Sequence, residues 1–442
     1  MIRKHGSAVA LVMMALFLLS ACGPVPEAVN TTHSAPPAAT DKAADGPTLT
    51  FRITWKGYSG RGEAIAEIVN AYNAQAGDAW RVTLVNGDED RAAIGLLLSG
   101  QPDAVYVLPY RFVRYFGASG ALLDLTEAFG DVQSLYYEAI WSLGGAGGRT
   151  YGVPWLGHSM ALLYNKTLLQ KAGVQAEAIR SMEDFLTAIR AVRDKTGAGG
   201  LGLVGAESND LSWMVNQFVY GYGSTLVGED GKTVTLNNGR TAEALRLYRD
   251  TLGPYAQPTW KDDTAVEVMD YFRRQQIAFE ILGIWGVTDI EKNGSPFEVG
   301  ILPLQAVGLC SEVGPLMLAL PAGISEEARV SAMRFIRHMI SKDAQAQILK
   351  GEYSPEHDTY YPFRTPIRID MMDSDIFREH PEYRVFIEGF ATPSVDVPVP
   401  AWQVVKDEVY APGLHRVMTG EWSIETFLTD VEQRGNEILG GQ

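Results

Sequence analysis

The sequence predicts an α/β protein, and three observations carry that expectation. Between residues 48 and 109, strand-like runs rich in β-branched and aromatic residues alternate with runs of helical periodicity. Alternation of this kind implies a parallel sheet with right-handed crossovers. The roughly 420 residues beyond Cys22 are enough for two domains of ordinary size, each with its own core.

The chain opens on an address. Arg3 and Lys4 precede an uncharged apolar run over 8–19, and Ser20 and Ala21 stand before Cys22. These are the parts of a secretory signal peptide. The run is shorter than the ~20 residues that a membrane-spanning helix needs. Leu19, Ser20, Ala21 and Cys22 resemble the bacterial lipobox, in which the cysteine thiol takes a diacylglyceryl group and becomes the new N-terminus. The expectation over 1–22 is therefore a lipoprotein signal peptide, with the folded body held outside the cytoplasm by a lipid on Cys22. An ordinary signal peptide with a chance cysteine is the alternative. Only Cys22 and Cys310 exist, so a lipidated Cys22 leaves no pair for a disulfide. From 23 to 47 the prolines Pro24, Pro26, Pro36, Pro37 and Pro47 lie among Ala, Thr and Ser. Such a tether typically spans roughly 25 to 30 Å.

The elements follow in order. TLTFRITW (48–55) is the first strand, and Ala64, Ile65, Ile68, Val69 and Tyr72 follow at helical spacing. WRVTLVNG (80–87) is the second strand, a short helix passes through 96–98, and DAVYVLP (103–109) is the third. Ligands settle beyond the carboxyl ends of such strands, here Trp55 with 56–61, then 86–90, then 106–111. After YGVPW (151–155), ALLYN (161–165) is strand-like. Ser181 and Asp184 open a helix bearing Phe185, Leu186, Ile189 and Val192, and LGLVG (201–205) returns as a strand. Helices are expected over about 210–220 and 241–249, a turn at EDGK (229–232), and one buried strand over QIAFEILGIWG (276–286). VGILPL (299–304) and GPLMLALPAG (314–323) add strands. Ser325 with Glu326 and Glu327 then starts a helix, the acids favouring its positive end. Beyond Arg364 the chain reads as mostly helical, with proline breaks over 393–400.

Composition and motifs exclude several functions. With 37 Lys and Arg against 53 Asp and Glu the formal net charge is −16. Such a surface repels phosphate backbones, which removes nucleic acid from the expected partners. GAGGLG (197–202) matches GxGxxG, yet it follows a helix and precedes a strand, the reverse of what a dinucleotide phosphate site needs. GKT (231–233) lacks the first glycine of a P-loop, Leu226 standing in its place, and GHSMA (157–161) has Ala161 where a nucleophile elbow needs glycine. No HExxH or paired CxxC occurs, so no metal, cofactor or catalytic triad is expected.

The aromatic residues point elsewhere. Trp55, Trp155, Trp213, Trp285 and Trp402 each stand beside glycine, proline or polar residues near an expected element end. A sugar ring has an apolar C–H face and a rim of hydroxyls, so its receptor needs flat aromatics and charged or amide groups. Each tryptophan alone could equally be a core or edge residue; five in such contexts favour a shared cleft.

In their order, ITWKGYSGRGEAIAEIVNAYNAQ (53–75), PDAVYVLPYRF (102–112), YGVPWLGHSMALLYNKTLLQKAGV (151–174), SMEDFLTAIRAV (181–192), the QIAFEILGIWG run, VGILPL and SKDAQAQIL (341–349) resemble the family 1 extracellular solute-binding proteins of ABC transporters. The likeness, which includes maltose-binding protein, runs over about 48–439. It implies a two-lobed periplasmic-binding-protein-like fold with a ligand cleft between the lobes, a small-molecule sugar as ligand, and ABC transporter permease subunits as partners. It implies 48–158 plus about 299–357 as the N-terminal lobe and about 159–298 plus 364–442 as the C-terminal lobe. Position by position, Trp55, Tyr58 and Arg61 match the cleft wall after the first strand. Tyr110 and Arg111 match a polar pair that bonds sugar hydroxyls, Trp285 matches a stacking aromatic, and Trp402 matches another near the C-terminal helices. His158 falls where the maltose group has a carboxylate. Trp155 and Trp213 are added from their element ends, and Tyr361 and Arg364, in YYPFRTP, are contacts or hinge residues.

Three functions follow from these readings. The first is a sugar receptor without catalysis. The second is a receptor of the same architecture for another solute such as a polyamine or ferric iron, for which Tyr360 and Tyr361 would be hard oxygen ligands. The third is a lipid-anchored glycoside hydrolase, which needs two carboxylates roughly 5 to 10 Å apart, with Glu63, Glu89, Asp90 and Asp103 as candidates.

Overall fold

The computed structural model describes residues 46–53, 61–77, 80–87, 91–362, 364–390, 394 and 399–441. Cys22, Trp55 and Tyr58 lie outside the described residues, and so do residues 1–45, where the signal peptide and most of the tether are expected.

Strand β1 (Thr48–Ile53) buries every second residue, Leu49, Phe51 and Ile53, as period-two patterning requires. Each such side chain stabilises the fold by about 1.5–3 kcal/mol. Helix α1 (Arg61–Gln75) sets Ala64, Ile65, Ile68, Val69 and Tyr72 against the sheet, the stripe that the spacing predicts. Strand β2 (Arg81–Asn86) runs parallel to β1, helix α2 (Arg91–Gly100) crosses back, and β3 (Ala104–Pro109) runs parallel on the other side of β1. Helix α3 (Tyr110–Ala118) starts directly after Pro109. Two antiparallel strands complete this sheet, Leu316–Ala319 beside β3 and Val153–Leu156 at the edge.

A second sheet has the order Val299–Pro303, Ala161–Asn165, Ile277–Leu282, Gly199–Leu201. Asn165 caps the helix behind its strand by accepting from the backbone N–H of Leu168 at 2.9 Å. Ser181 likewise accepts from the N–H of Asp184 at 3.1 Å and starts the helix Met182–Thr196. That helix packs Phe185 edge-on against Phe279 of the central strand, with ring centroids 5.0 Å apart.

Four expectations need correction. The run over 276–286 is not one strand: it stops at Leu282, Gly283 caps the next element, and Ile284–Lys292 is a helix. Buried Ile284, Val287 and Ile290 give that segment a helical period, so Trp285 stands on a first turn. The strand expected over 201–205 begins earlier, at Gly199, where it pairs with Ile277 and Phe279. The segment from 299 does not join the first lobe. Val299–Pro303 pairs with Ala161–Asn165, and the chain enters the first core only at Val313. Finally, the stretch after Arg364 is not wholly in the second lobe, since Ile367 and Phe390 belong to the first core; between 365 and 390 it forms the helix Asp375–Glu379 and 3-10 turns at Ile369–Met371, Pro381–Phe386 and Glu388–Phe390.

Two separate hydrophobic cores result, and the chain passes between them at 157–159, at 310–312 and again between 367 and 401. Hydrogen bonds to backbone carbonyls tie these segments together. Gly314 N–H donates to the His158 carbonyl at 3.0 Å, and the Thr365 hydroxyl donates to the Gly157 carbonyl at 2.9 Å. Glycine is required at both contacts. A Cβ on Gly314 would fall 2.4 Å from His158 Nε2, and one on Gly157 would fall 2.0 Å from Ile367 Cγ2.

Candidate functional site

Four expected residues meet where the crossings converge. His158, on the first crossing, meets Trp285 edge-on at 5.0 Å and 87°, and Trp213 at 6.0 Å and 75°. Trp213 is carried by the helix Asn209–Gly221, whose start is fixed by Ser208 accepting from the N–H of Leu211. Trp285 is held over its own turn, since a Cβ on Gly283 would lie 2.0 Å from the indole. Arg364, buried next to Thr365, places its guanidinium carbon 4.5 Å from the centre of the Trp285 ring. Aromatic faces, a histidine and a guanidinium side by side suit a ligand with apolar C–H patches and polar rims.

Other expected residues lie elsewhere. Trp155 is 1 % exposed and packs edge-on against Phe51 in the first core, and Trp402 is 2 % exposed against Tyr410 in the second. Both side chains are buried among core residues. Trp155 sits in a strand whose four residues, Pro154 among them, are all buried, so its proline neighbour does not mark an open surface. Tyr110 is buried at the start of α3, its N–H bonded to the Pro315 carbonyl at 3.1 Å. Arg111 lies beside the Phe112 ring at 5.0 Å. Arg61 is the first residue of α1. Tyr361 bonds the Nδ1 of His357 at 2.8 Å, within a hairpin formed by Glu352–Ser354 and Thr359–Tyr361. Tyr360 faces the other side of that hairpin, against Tyr353 and the ammonium of Lys350. The two adjacent tyrosines therefore do not converge on one ion, as the iron reading requires. Asp103 is engaged in capping, accepting from the N–H of Ser325 at 2.9 Å.

Sequence reasoning missed a buried polar chain beside the aromatic group. The Tyr410 hydroxyl donates to Asn216 Oδ1 at 2.9 Å, and Asn216 Nδ2 donates to Glu312 Oε2 at 3.1 Å. Tyr410, Asn216 and Glu312 are each at most 2 % exposed. Asn216 stands one turn after Trp213 on the same helix, so the two share a face. Glu312 lies on the second crossing. An asparagine and a glutamine inside LSWMVNQFVY were the available signal. Elsewhere, Glu280 on the central strand of the second sheet has its carboxyl pushed well above the usual range, first by burial and then by Asp289, with Arg273 opposing. Two surface grooves of about 590 and 570 Å³ lie on the outer side of the second lobe around Tyr222, Glu243 and Arg240, and none of the expected site residues lines them.

The profile of the bacterial extracellular solute-binding proteins matches residues 56–346. The chain belongs to this family. It is 25 % identical over 308 residues to the arabinooligosaccharide-binding protein of Halalkalibacterium halodurans, a match covering 68 % of this chain and 66 % of that protein. It is 23 % identical over 211 residues to the diacetylchitobiose binding protein DasA of Streptomyces coelicolor, covering 47 % and 48 %. These matches span less than two thirds of either relative's own length. Among solved structures, the GacH receptor of Streptomyces glaucescens superposes with a TM-score of 0.77 at 23 % identity, over 89 % of this chain and 99 % of that one. Maltose-bound MalE3 of T. maritima superposes with a TM-score of 0.76 at 17 % identity, over 89 % and 100 %. At these identities the likeness establishes the two-lobed fold. Family membership places the solute-binding protein outside the cytoplasm.

Proposed function

We propose that this solute-binding protein is the receptor of an ABC importer, that it captures a mono- to oligosaccharide between its lobes, and that it hands the sugar to a membrane permease. The meeting of His158, Trp213, Trp285 and Arg364 at the lobe crossings carries the reading. Trp285 and Trp213 stack on the C–H faces of the sugar, while Arg364, His158 and Glu312 serve its hydroxyls. The names of the relatives, which concern arabinooligosaccharides and diacetylchitobiose, support a sugar ligand. A lipid on Cys22 and a signal peptide before it belong to the same proposal, since a tethered receptor stays within reach of its permease. No catalytic step is part of it.

A thermal-shift screen over mono- and oligosaccharides tests the binding, because a ligand at 100 times its Kd stabilises by about 2.7 kcal/mol. A sugar that raises the melting point and is recovered unchanged supports the reading; release of reducing sugar would move it to a hydrolase. For the anchor, Cys22→Ser is expected to shift the protein from the membrane to the soluble fraction of its host, and unchanged membrane association would remove the lipid.

A further inference from the structure

Away from the crossings, the lobes also touch through α2 and the turn at 406–410. Arg91 is the first residue of α2, whose apolar residues Ile94 and Leu98 belong to the first core. Its Nε lies 2.7 Å from Asp407 Oδ2 and its Nη2 lies 3.7 Å from Glu408 Oε1. Asp407 and Glu408 sit in the π-helical turn Lys406–Tyr410, whose Val409 and Tyr410 belong to the second core.

Both partners are held in place from their own side. On the first lobe, Arg91 Nη1 donates to the Tyr115 hydroxyl at 3.1 Å, and the guanidinium lies 5.1 Å from that ring. On the second lobe, Gln403 Nε2 donates to Asp407 Oδ1 at 2.7 Å, so both oxygens of Asp407 are used. A π turn re-aims the side chains that follow it and recurs at functional positions. A cation at the start of a helix opposes the dipole there, whereas the carboxylates brought up by the other lobe are favoured at that end. Burial disfavours the charge on Arg91, and the bonds to Asp407 and Tyr115 outweigh it.

We propose that Arg91, Asp407 and Glu408 form a latch between the lobes that favours their closed arrangement, making Arg91 a positioning residue for ligand affinity that does not itself touch the ligand. This rests on the reading of the chain as a receptor that closes around its solute. Arg91 and Asp407 are 23 % and 36 % exposed, so salt weakens the latch. Affinity scales with the fraction of molecules able to close, which converts a modest latch into a measurable factor.

The test is small-angle scattering on the ligand-free mature protein, comparing wild type with Arg91→Ala and with the double variant Asp407→Asn, Glu408→Gln. Both variants are expected to have a larger radius of gyration, and wild type should expand towards them between about 0.05 and 0.5 M salt. Arg91→Asp combined with Asp407→Arg should recover compactness. For whichever sugar the screen identifies, both variants should bind about three- to tenfold more weakly through faster dissociation. Should Arg91→Ala fail to fold, the acidic double variant gives the same reading. Superimposable scattering of wild type and variants at both salt concentrations overturns the latch. An intact scattering difference with no sugar bound by wild type would overturn the sugar reading and leave the latch standing.

Discussion

The guanidinium of Arg364 covers one face of Trp285 with its carbon 4.5 Å from the ring centre, while His158 meets the same indole edge-on. These groups come from the segment before Thr365, a helix of the second lobe and the first crossing. A cation over an indole is attracted by about 0.5–2 kcal/mol according to its exposure. The indole is thus oriented by protein groups before any ligand arrives, which lowers the ordering cost of binding.

Trp285→Ala is expected to weaken sugar binding at least tenfold, the equivalent of about 1.4 kcal/mol, with little change in melting temperature. Trp402→Ala and Trp155→Ala should do the opposite. Removing a ring from a filled core costs about 3–5 kcal/mol, so their loss appears in the unfolding transition. Calorimetric titration beside thermal melts separates the two classes, and a Trp402→Ala protein of normal stability and lost affinity would return that residue to the cleft.

Gly314→Ala tests the hinge. The added methyl would stand 2.4 Å from His158 Nε2, so the imidazole must move and lose its edge contacts with Trp213 and Trp285. Affinity should fall about tenfold or more, and His158→Ala should lower it too. The double variant should be no worse than Gly314→Ala alone, because both changes act on one ring. Additive losses would show that Gly314 acts by another route.

Much of this architecture was legible in the sequence, and the failures have physical causes. ALLYN and the Ser181 cap were readable because period and capping are local properties. The break at Gly283 was not, because IAFEIL and IWGVTDI are both apolar and only the helical spacing of Val287 and Ile290 distinguishes them. The burial of Trp155 was not legible because it depends on a partner far away in sequence, Phe51. The Asn216 to Glu312 bond joins positions 96 residues apart, a pairing that no local pattern encodes.

Glu280 should make stability fall with rising pH. Its folded-state pKa is raised well above the usual 4.5, so the folded chain holds this proton where the unfolded chain has released it. The contribution is fully present below pH 4.5 and is lost as pH rises through the folded value. Glu280→Gln keeps the shape without the charge. Its melting temperature at pH 8 should exceed that of wild type by about 2–4 °C per kcal/mol regained, with the difference vanishing near pH 4. A difference independent of pH would assign the effect to packing.

Tyr410→Phe removes the donor at one end of the buried chain and leaves Asn216 Oδ1 without that bond. An unsatisfied buried carbonyl costs about 1–3 kcal/mol, which urea unfolding would register as a lower midpoint at unchanged slope. Because Asn216 also holds Glu312 on the second crossing, the loss should extend to sugar affinity, whereas an equally destabilising change remote from the crossings should not. Asn216→Ala breaks both bonds and should weaken binding more than Tyr410→Phe does. If both variants lose stability and neither loses affinity, the chain supports the second core alone and Glu312 is not positioned for the ligand through it.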